Sequence, residues 1–196
     1  MIILMPPIPP FISVPKIPFR LPGELYRIRV LFLFQEIDDE VARRISSLIV
    51  YLTIEDNTKD LYLFVHSPGG FILSGIGIYD TVRNAVPHVN TIGLGSIASM
   101  GSLILAGGTS TKRFAFPHAR VMIHQPASSY LDGKTGFVHV ETELLMFLRD
   151  RVIDAYVEST GNLREVISID LDRDDFMSAT EAQAHGIVDF VVVESE

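Results

Sequence analysis

The 196-residue chain contains no cysteine. This absence excludes disulfide bonds, a thiol nucleophile and a thiolate metal site, and it fits a reducing compartment. Basic residues are also scarce, since 16 Lys and Arg stand against 24 Asp and Glu, which gives a formal net charge of −8. A balance this acidic disfavours nucleic acid as a partner.

Long hydrophobic runs and phosphate-binding motifs are missing as well. No stretch reaches the roughly 18 uninterrupted apolar residues of a membrane span, and prolines interrupt the apolar start of the chain. That start also lacks the basic region of a signal peptide. Neither G-x-x-x-x-G-K-[ST] nor G-x-G-x-x-G occurs, which argues against a bound nucleotide.

Apolar side chains are abundant. They make up 47% of the chain, and the mean hydropathy is +0.31. Without a membrane span, this composition is typical of a subunit that buries surface against other subunits. We therefore expect an oligomer.

Strand and helix patterns alternate along the chain. Short apolar runs predict strands at 29–34, 60–66, 89–95, 113–116, 120–124 and 187–193. Helical spacing between them predicts a helix from Asp38 or Asp39, one after the turn at 67–70, one that begins near Ser99, and a long helix that stops at Gly161. Ser178 and Glu181 form a capping box for a last short helix. Alternating elements predict βαβ units and an α/β fold.

The chain divides into two parts. Residues 1–23 are rich in Pro and Ile and show neither helical nor strand periodicity, so we expect an arm there. Residues 24–196 form one predicted domain, with no linker or internal repeat.

Two Gly-rich turns follow predicted strands, SPGG at 67–70 and GSIASMG at 95–101. Both expose backbone N–H groups, which suits an oxyanion hole or a phosphate site. Ser99 lies in the second turn, inside a long run of Gly, Ala and Ser. It is either the N-cap of the following helix or a nucleophile, and a nucleophile needs a base and a group that orients the base.

His124 is the best-placed candidate base, because it follows the apolar run RVMI at a strand end, where sites cluster. The other histidines are better explained as surface or structural residues: His66, His88, His118, His139 and His185. The orienting carboxylate belongs to a cluster of acidic residues, and the sequence alone does not identify which of them it is: Asp170, Asp172, Asp174 and Asp175. The resulting order Ser, His, Asp differs from the chain orders of α/β-hydrolases, chymotrypsin and subtilisin.

Four segments, in order, carry a family resemblance: LYLFVHSPGG, SIASMGS, KRFAFPHARVMIHQPASS and DRDDFMSATEAQAHGIVD. They resemble the proteolytic subunits of Clp proteases, most closely the plastid-encoded type, over residues 25–194. The resemblance implies a Ser–His–Asp triad of Ser99, His124 and Asp174. It also implies an oxyanion hole from the N–H groups of Gly70 and Met100, with no metal or cofactor, and ATP hydrolysed by a separate unfoldase.

The resemblance further implies a spiral of βαβ units, like that of crotonases, with a protruding handle helix at 137–158. In this family, handle helices join two seven-membered rings, and Asp172 and Arg173 match a pair that couples ring contact to the active site. Substrates are unfolded polypeptides, and the implied location is the chloroplast stroma. Residues that match the unfoldase-docking pockets could equally be strand core: Tyr62, Phe64, Ile92, Leu94, Phe114 and Phe116.

Two departures from the family pattern keep alternatives open. The segment between LPGE and the first strand is short, which affects the expected ring geometry, and His66 replaces a more common Asn. We expect His66 not to face the site. A catalytically silent ring subunit is the main alternative to an active peptidase. A crotonase-like acyl-CoA enzyme is a third, although basic residues for an adenine-phosphate site are not evident.

Overall fold

The structure is a computed structural model that describes residues 28–125 and 135–192, without the side chains of 135–138. The predicted arm at 1–23 lies outside the described residues. The strands are β1 Val30–Leu33, β2 Leu61–Val65, β3 Val89–Gly93, β4 Ser96–Ala98, β5 Arg113–Ala115, β6 Arg120–Met122, β7 Phe176–Ser178 and β8 Phe190–Val191. The helices are α1 Asp39–Glu55, α2 Ile72–Arg83, α3 Met100–Ala106, α4 Thr135–Thr160, α5 Arg164–Leu171 and α6 Ala179–Ala184.

The main sheet is parallel and has the order β1-β2-β3-β5-β8. This arrangement, with helices between the strands, confirms the predicted α/β fold. Helix α1 shows why its sequence folds this way: Val41, Ile45, Ile49 and Leu52 recur at helical spacing, and all are buried in the core.

A second sheet has the order β4-β6-β7, with β7 antiparallel to β6. The strand predicted at 89–95 is present as β3 and ends two residues earlier, whereas β4 was not predicted. The chain bends at Gly95, where φ is 62°, and continues as β4 in the second sheet. Because β4 ends just before Ser99, β6 just before His124, and β7 begins just after Asp174, this small sheet brings the three predicted triad residues to one region.

Several helix ends match their sequence signals. The Asp38 side chain accepts a hydrogen bond from the Val41 N–H at the start of α1. Ser178 and Glu181 form the predicted capping box of α6. Helix α4 extends the predicted 137–158 by two residues at each end, and Gly161 follows it with φ of 76°. In the described part of the chain, no helix has the length and hydropathy needed to cross a membrane.

Arg113 joins the ends of three helices to the sheet. Its guanidinium forms a largely buried ion pair with Asp189 at 2.6 Å. Its Nη1 also donates to the carbonyls of Ala106, Ser159 and Gly186, at 3.3, 2.7 and 2.9 Å. These carbonyls belong to the C-terminal ends of α3 and α4 and to the residues after α6, where a cation is electrostatically favoured. The pair thus fixes the helix of the candidate nucleophile from its far end.

Acid is expected to destabilise the fold through Asp60 and Asp189. The hydrogen bond from Lys112 lowers the pKa of Asp60. Burial raises the pKa of Asp189, but the hydrogen bonds from Arg113 outweigh burial, so its net pKa is lowered. Both folded-state pKa values lie below the ordinary 3.8, so each carboxylate stabilises the fold above about pH 4, and this contribution is lost as pH falls through the folded pKa.

Thermal unfolding measured between pH 7 and pH 3 tests this expectation. The Tm should fall as the pH drops below about 4. The substitution Lys112→Met removes the partner of Asp60 and should make that fall shallower. A Tm that is constant across this range would contradict the assignment.

Candidate active site

The SPGG turn after β2 is held in place by its own serine. The Ser67 hydroxyl donates to the Gln35 carbonyl at 2.7 Å and accepts from the Gly69 N–H at 3.1 Å. The Ser67 carbonyl accepts from the Ala98 N–H at 2.9 Å. These contacts fix the turn against the end of β4, directly beside Ser99.

Ser99 occupies a strained turn between β4 and α3. Its φ and ψ are 56° and −128°, in a region that L-residues rarely adopt. It stands at the N-cap position, yet its side chain makes no capping hydrogen bond. Ser99 is therefore the N-cap by position, but its hydroxyl does not cap the helix. A serine held in a strained strand-to-helix turn is the geometry by which α/β-hydrolases present a nucleophile, although this sequence has no G-x-S-x-G.

The neighbouring glycines explain the run of small residues. A Cβ on Gly69 would lie 2.5 Å from the Ser99 Cβ, and one on Gly101 would lie 2.9 Å from the Ser67 carbonyl oxygen. Real Cβ atoms do not approach other atoms this closely, so any larger residue would push the two turns apart. Glycine is therefore required for the SPGG turn and the Ser99 turn to pack together.

Two backbone N–H groups lie at the ends of these turns without an acceptor. The Gly70 and Met100 N–H groups donate no hydrogen bond to any described residue. Gly70 is held by a parallel bridge to Ile37, in which the Ile37 N–H donates to the Gly69 carbonyl and the Phe71 N–H donates to the Ile37 carbonyl. A Cβ on Gly70, whose φ is 150°, would lie 2.1 Å from the Ile37 carbonyl oxygen. Unpaired, pre-positioned donors of this kind can stabilise an oxyanion.

His124 and Asp174 are brought together by two loops. The His124 Nδ1 lies 3.5 Å from an Asp174 carboxylate oxygen. The Gln125 N–H donates to the Leu171 carbonyl at 2.8 Å, which joins the loop after β6 to the end of α5. The sequence left four acidic candidates open, and of these Asp174 is the one whose carboxylate contacts a His124 ring nitrogen among the described residues.

Ser99 is joined to the strand of His124 through the backbone. Its N–H donates to the Met122 carbonyl at 3.0 Å, two residues before His124. The Ser99 hydroxyl itself makes no hydrogen bond to a described residue. The hydrogen bond from Ser99 to His124 that catalysis requires is therefore not formed in this single chain. Catalytic hydrogen bonds that are long or absent without substrate are common in enzymes.

The remaining polar candidates lie away from Ser99. The His66 Nδ1 lies 3.1 Å from the Ser96 N–H and 3.2 Å from the Leu94 carbonyl oxygen, at the bend between β3 and β4. Its ring packs edge-on against Phe34. The His185 Nε2 contacts Asp170 at 2.9 Å. No group of three or more metal-ligating side chains occurs in the residues that the structure describes.

Asp172 and Arg173 do not pair with each other within one chain. Asp172 contacts Arg149 at 3.1 Å, and Arg173 lies 3.9 Å from Asp170. Both pairs are on the surface beside Asp174. A role in ring contact stays a prediction.

The candidate docking residues form part of an aromatic row across the main sheet. The strand register aligns one residue from each strand: Phe32, Phe64, Ile92, Phe114 and Phe190. Phe64 stacks on Phe32, and Phe114 stacks on Phe190. Tyr62 and Phe116 flank the row and are each 41% exposed, whereas Ile92 is buried. Ile92 is buried as strand core, Phe64, Leu94 and Phe114 are partly buried, and a docking role for these residues stays a prediction. Phe32 and Phe190 belong to the row but were not predicted from the sequence.

Two further residues near Ser99 were also missed. Ser102 and Tyr156 are both buried, and both contact the Ser99 carbonyl. They are separated by 54 positions in the chain. Neither carries a motif, so no local signal identifies them.

Known proteins resemble this chain over nearly its whole length. The Clp protease family matches residues 18–195. A protein named ATP-dependent Clp protease proteolytic subunit from Calycanthus floridus var. glaucus is 56% identical over 195 residues, covering 94% of this chain and 96% of that protein. A protein of the same name from Morus indica is 56% identical over 194 residues, covering 93% and 99%. Together with the α/β fold, these matches show that the chain belongs to the Clp protease family.

Proposed function

We propose that this chain is a serine endopeptidase subunit in which Ser99 is the nucleophile, His124 the general base and Asp174 the orienting carboxylate. The observation that carries the proposal is the strained Ser99, whose side chain makes no capping hydrogen bond, together with the Gly70 and Met100 N–H groups, which have no acceptor among the described residues. A serine that only capped a helix would use its hydroxyl for the cap and would not require positive φ.

The chemistry follows from these roles. His124 takes the Ser99 proton as the Ser99 oxygen attacks a peptide carbonyl, and Asp174 stabilises the imidazolium that forms. The Gly70 and Met100 N–H groups donate to the oxyanion of the tetrahedral intermediate. His124 then protonates the leaving amine, and water hydrolyses the acyl-enzyme with His124 again as base.

Because Ser99 and His124 form no hydrogen bond in the single chain, we place the completion of this contact in the assembled or substrate-bound protein. The end of β6 is the segment whose position decides it, since His124 lies two residues after the carbonyl that accepts the Ser99 N–H. Neighbouring subunits or bound substrate would set that position, as in other enzymes whose catalytic hydrogen bonds tighten on binding.

The subunit is proposed to act within a larger assembly. Helix α4 exposes an apolar set that a partner ring would cover: Val140, Leu144, Met146 and Phe147. We place Asp172 and Arg173 at the contact between two stacked heptameric rings. The aromatic row, with Tyr62, Leu94 and Phe116, is proposed to receive a ring-shaped ATP-driven unfoldase that feeds in unfolded polypeptides. By its likeness to the plastid-encoded type, the assembly is assigned to the chloroplast stroma.

The substitution Gly70→Ala tests the oxyanion hole. The added Cβ meets the Ile37 backbone at 2.1 Å, so the turn must shift and the Gly70 N–H must leave its position. Losing one such donor costs roughly 10²- to 10³-fold in kcat. The measurement is cleavage of a fluorogenic peptide by the assembled protein.

Gly77→Ala is the matched control, because a Cβ there meets nothing within 4 Å. It lies inside α2, where Ala is favoured over Gly by about 0.5–1 kcal/mol. Its kcat is expected to stay unchanged. Equal kcat for Gly70→Ala and Gly77→Ala would overturn the assignment of the oxyanion hole.

A further inference from the structure

Two buried hydroxyl groups meet beneath the candidate nucleophile. Ser102 lies on α3, one turn after Ser99, and is fully buried. Tyr156 lies on α4 and is 1% exposed. Their oxygens are 2.8 Å apart. The pair therefore connects the nucleophile helix directly to the long helix.

Both hydroxyl groups also reach backbone carbonyls of the site. The Ser102 Oγ lies 2.7 Å from the Ser99 carbonyl oxygen and 2.7 Å from the Met122 carbonyl oxygen. The Tyr156 hydroxyl lies 3.2 Å from the Ser99 carbonyl oxygen. The first carbonyl belongs to the nucleophile, and the second also accepts the Ser99 N–H on the strand that leads to His124.

The two hydroxyls act on carbonyls that already accept backbone N–H groups. The Ser99 carbonyl accepts from the Ser102 and Leu103 N–H groups at 3.0 and 3.2 Å, and the Met122 carbonyl accepts from the Ser99 N–H. Each hydroxyl carries one proton, so the pair adds two hydrogen bonds, such as one from Tyr156 to Ser102 and one from Ser102 to the Met122 carbonyl. Burial raises the pKa of Tyr156, so its hydroxyl stays protonated and able to donate throughout the neutral range.

We propose that Ser102 and Tyr156 are positioning residues, which hold the Ser99 turn against the strand of His124 and make the position of the nucleophile depend on helix α4. The inference rests on the proposed function of Ser99. A misplacement of about 1 Å can cost 10²-fold in rate, so a pair that fixes both the nucleophile and the base strand affects catalysis without touching substrate. Helix α4 is also the proposed ring-contact helix. A displacement of α4 on ring contact would therefore move the Ser99 turn through the Ser102–Tyr156 pair.

Tyr156→Phe removes one donor and keeps the ring volume. In the assembled protein we expect kcat on a fluorogenic peptide to fall about tenfold or more, with KM within about twofold. The rate constant for Ser99 labelling by a fluorophosphonate probe should fall by a similar factor. Labelling needs no peptide binding, so it separates positioning of the nucleophile from substrate affinity.

Tyr79→Phe is the matched control. Tyr79 is also buried, and its hydroxyl also contacts α4, at the Ala155 carbonyl (3.2 Å) and the Ser159 hydroxyl (2.9 Å). Removal of the Tyr79 hydroxyl is expected to lower the Tm about as much as Tyr156→Phe does. Its kcat and labelling rate should stay within about twofold of wild type, because Tyr79 contacts neither Ser99 nor the His124 strand.

Ser102→Ala, alone and combined with Tyr156→Phe, provides a second test. If the two hydroxyls act as one unit, the losses in kcat will be strongly non-additive. Equal Tm losses for Tyr156→Phe and Tyr79→Phe, with kcat and labelling unchanged in both, would overturn the inference while leaving the proposed nucleophile intact. Failure of wild-type assembly to label at Ser99 would instead overturn the proposed function, and this inference with it.

Discussion

Ser99→Ala is expected to reduce peptide cleavage by roughly 10⁵- to 10⁶-fold while the subunits still assemble. The reason is that no described residue near the oxyanion donors offers another nucleophile, and cysteine is absent from the chain. The Ser99 hydroxyl makes no hydrogen bond to a described residue, so its removal leaves no partner unsatisfied and should not disturb folding. Cleavage of a fluorogenic peptide and size-exclusion chromatography measure the two effects.

Two companion variants sharpen this result. Ser74→Ala removes another buried serine hydroxyl, which bonds to Asp39, and it should keep kcat within about twofold because it lies outside the site. Ser99→Gly should be as inactive as Ser99→Ala yet more stable by about 1 kcal/mol, because glycine tolerates positive φ. Retained cleavage by Ser99→Ala would show that another residue is the nucleophile.

Asp189→Ala is expected to lower the free energy of unfolding by about 3–5 kcal/mol, since it leaves the buried Arg113 guanidinium without its counter-charge. For a chain of this size, that corresponds to a fall in Tm of about 10 °C. Differential scanning calorimetry of the assembled protein measures it. The effect should reach the site, because Arg113 also binds the carbonyl at the end of α3.

A surface pair provides the comparison. Glu40 and Arg44 form an i,i+4 ion pair on α1, and both side chains are about half exposed or more. Glu40→Ala should therefore change stability by less than about 0.5 kcal/mol. If Asp189→Ala lowers the free energy of unfolding no more than Glu40→Ala does, then the Arg113–Asp189 pair does not hold the helix ends together as described.

Local signals in the sequence predicted the elements that depend on neighbours in the chain. The helical spacing of Val41 and Ile45 and the capping box of Ser178 and Glu181 act within one or two helical turns, and both predictions are confirmed. The βαβ alternation likewise predicted the parallel main sheet. The helical features are decided by residues a few positions apart, and the alternation of elements is read from local periodicity along the chain.

The sequence could not predict features that depend on distant contacts. Whether Ser99 caps its helix is decided by its backbone angles, which depend on the packing of Gly69 from another turn. The separate strand β4 after Gly95 was not predicted, because it forms through pairing with β6. The pairing of Ser102 with Tyr156 requires two helices to meet, and no local pattern encodes that contact.

Labelling of size-fractionated protein with a fluorophosphonate probe, read by mass spectrometry of the labelled peptide, tests the central claim most directly. Our account predicts label on Ser99 in a large assembly, because a strained serine with oxyanion donors in the adjoining turns and His124 as its base reacts with such probes once the assembly completes the site. A large assembly in which Ser99 carries no label would contradict the account and would support a catalytically silent ring subunit.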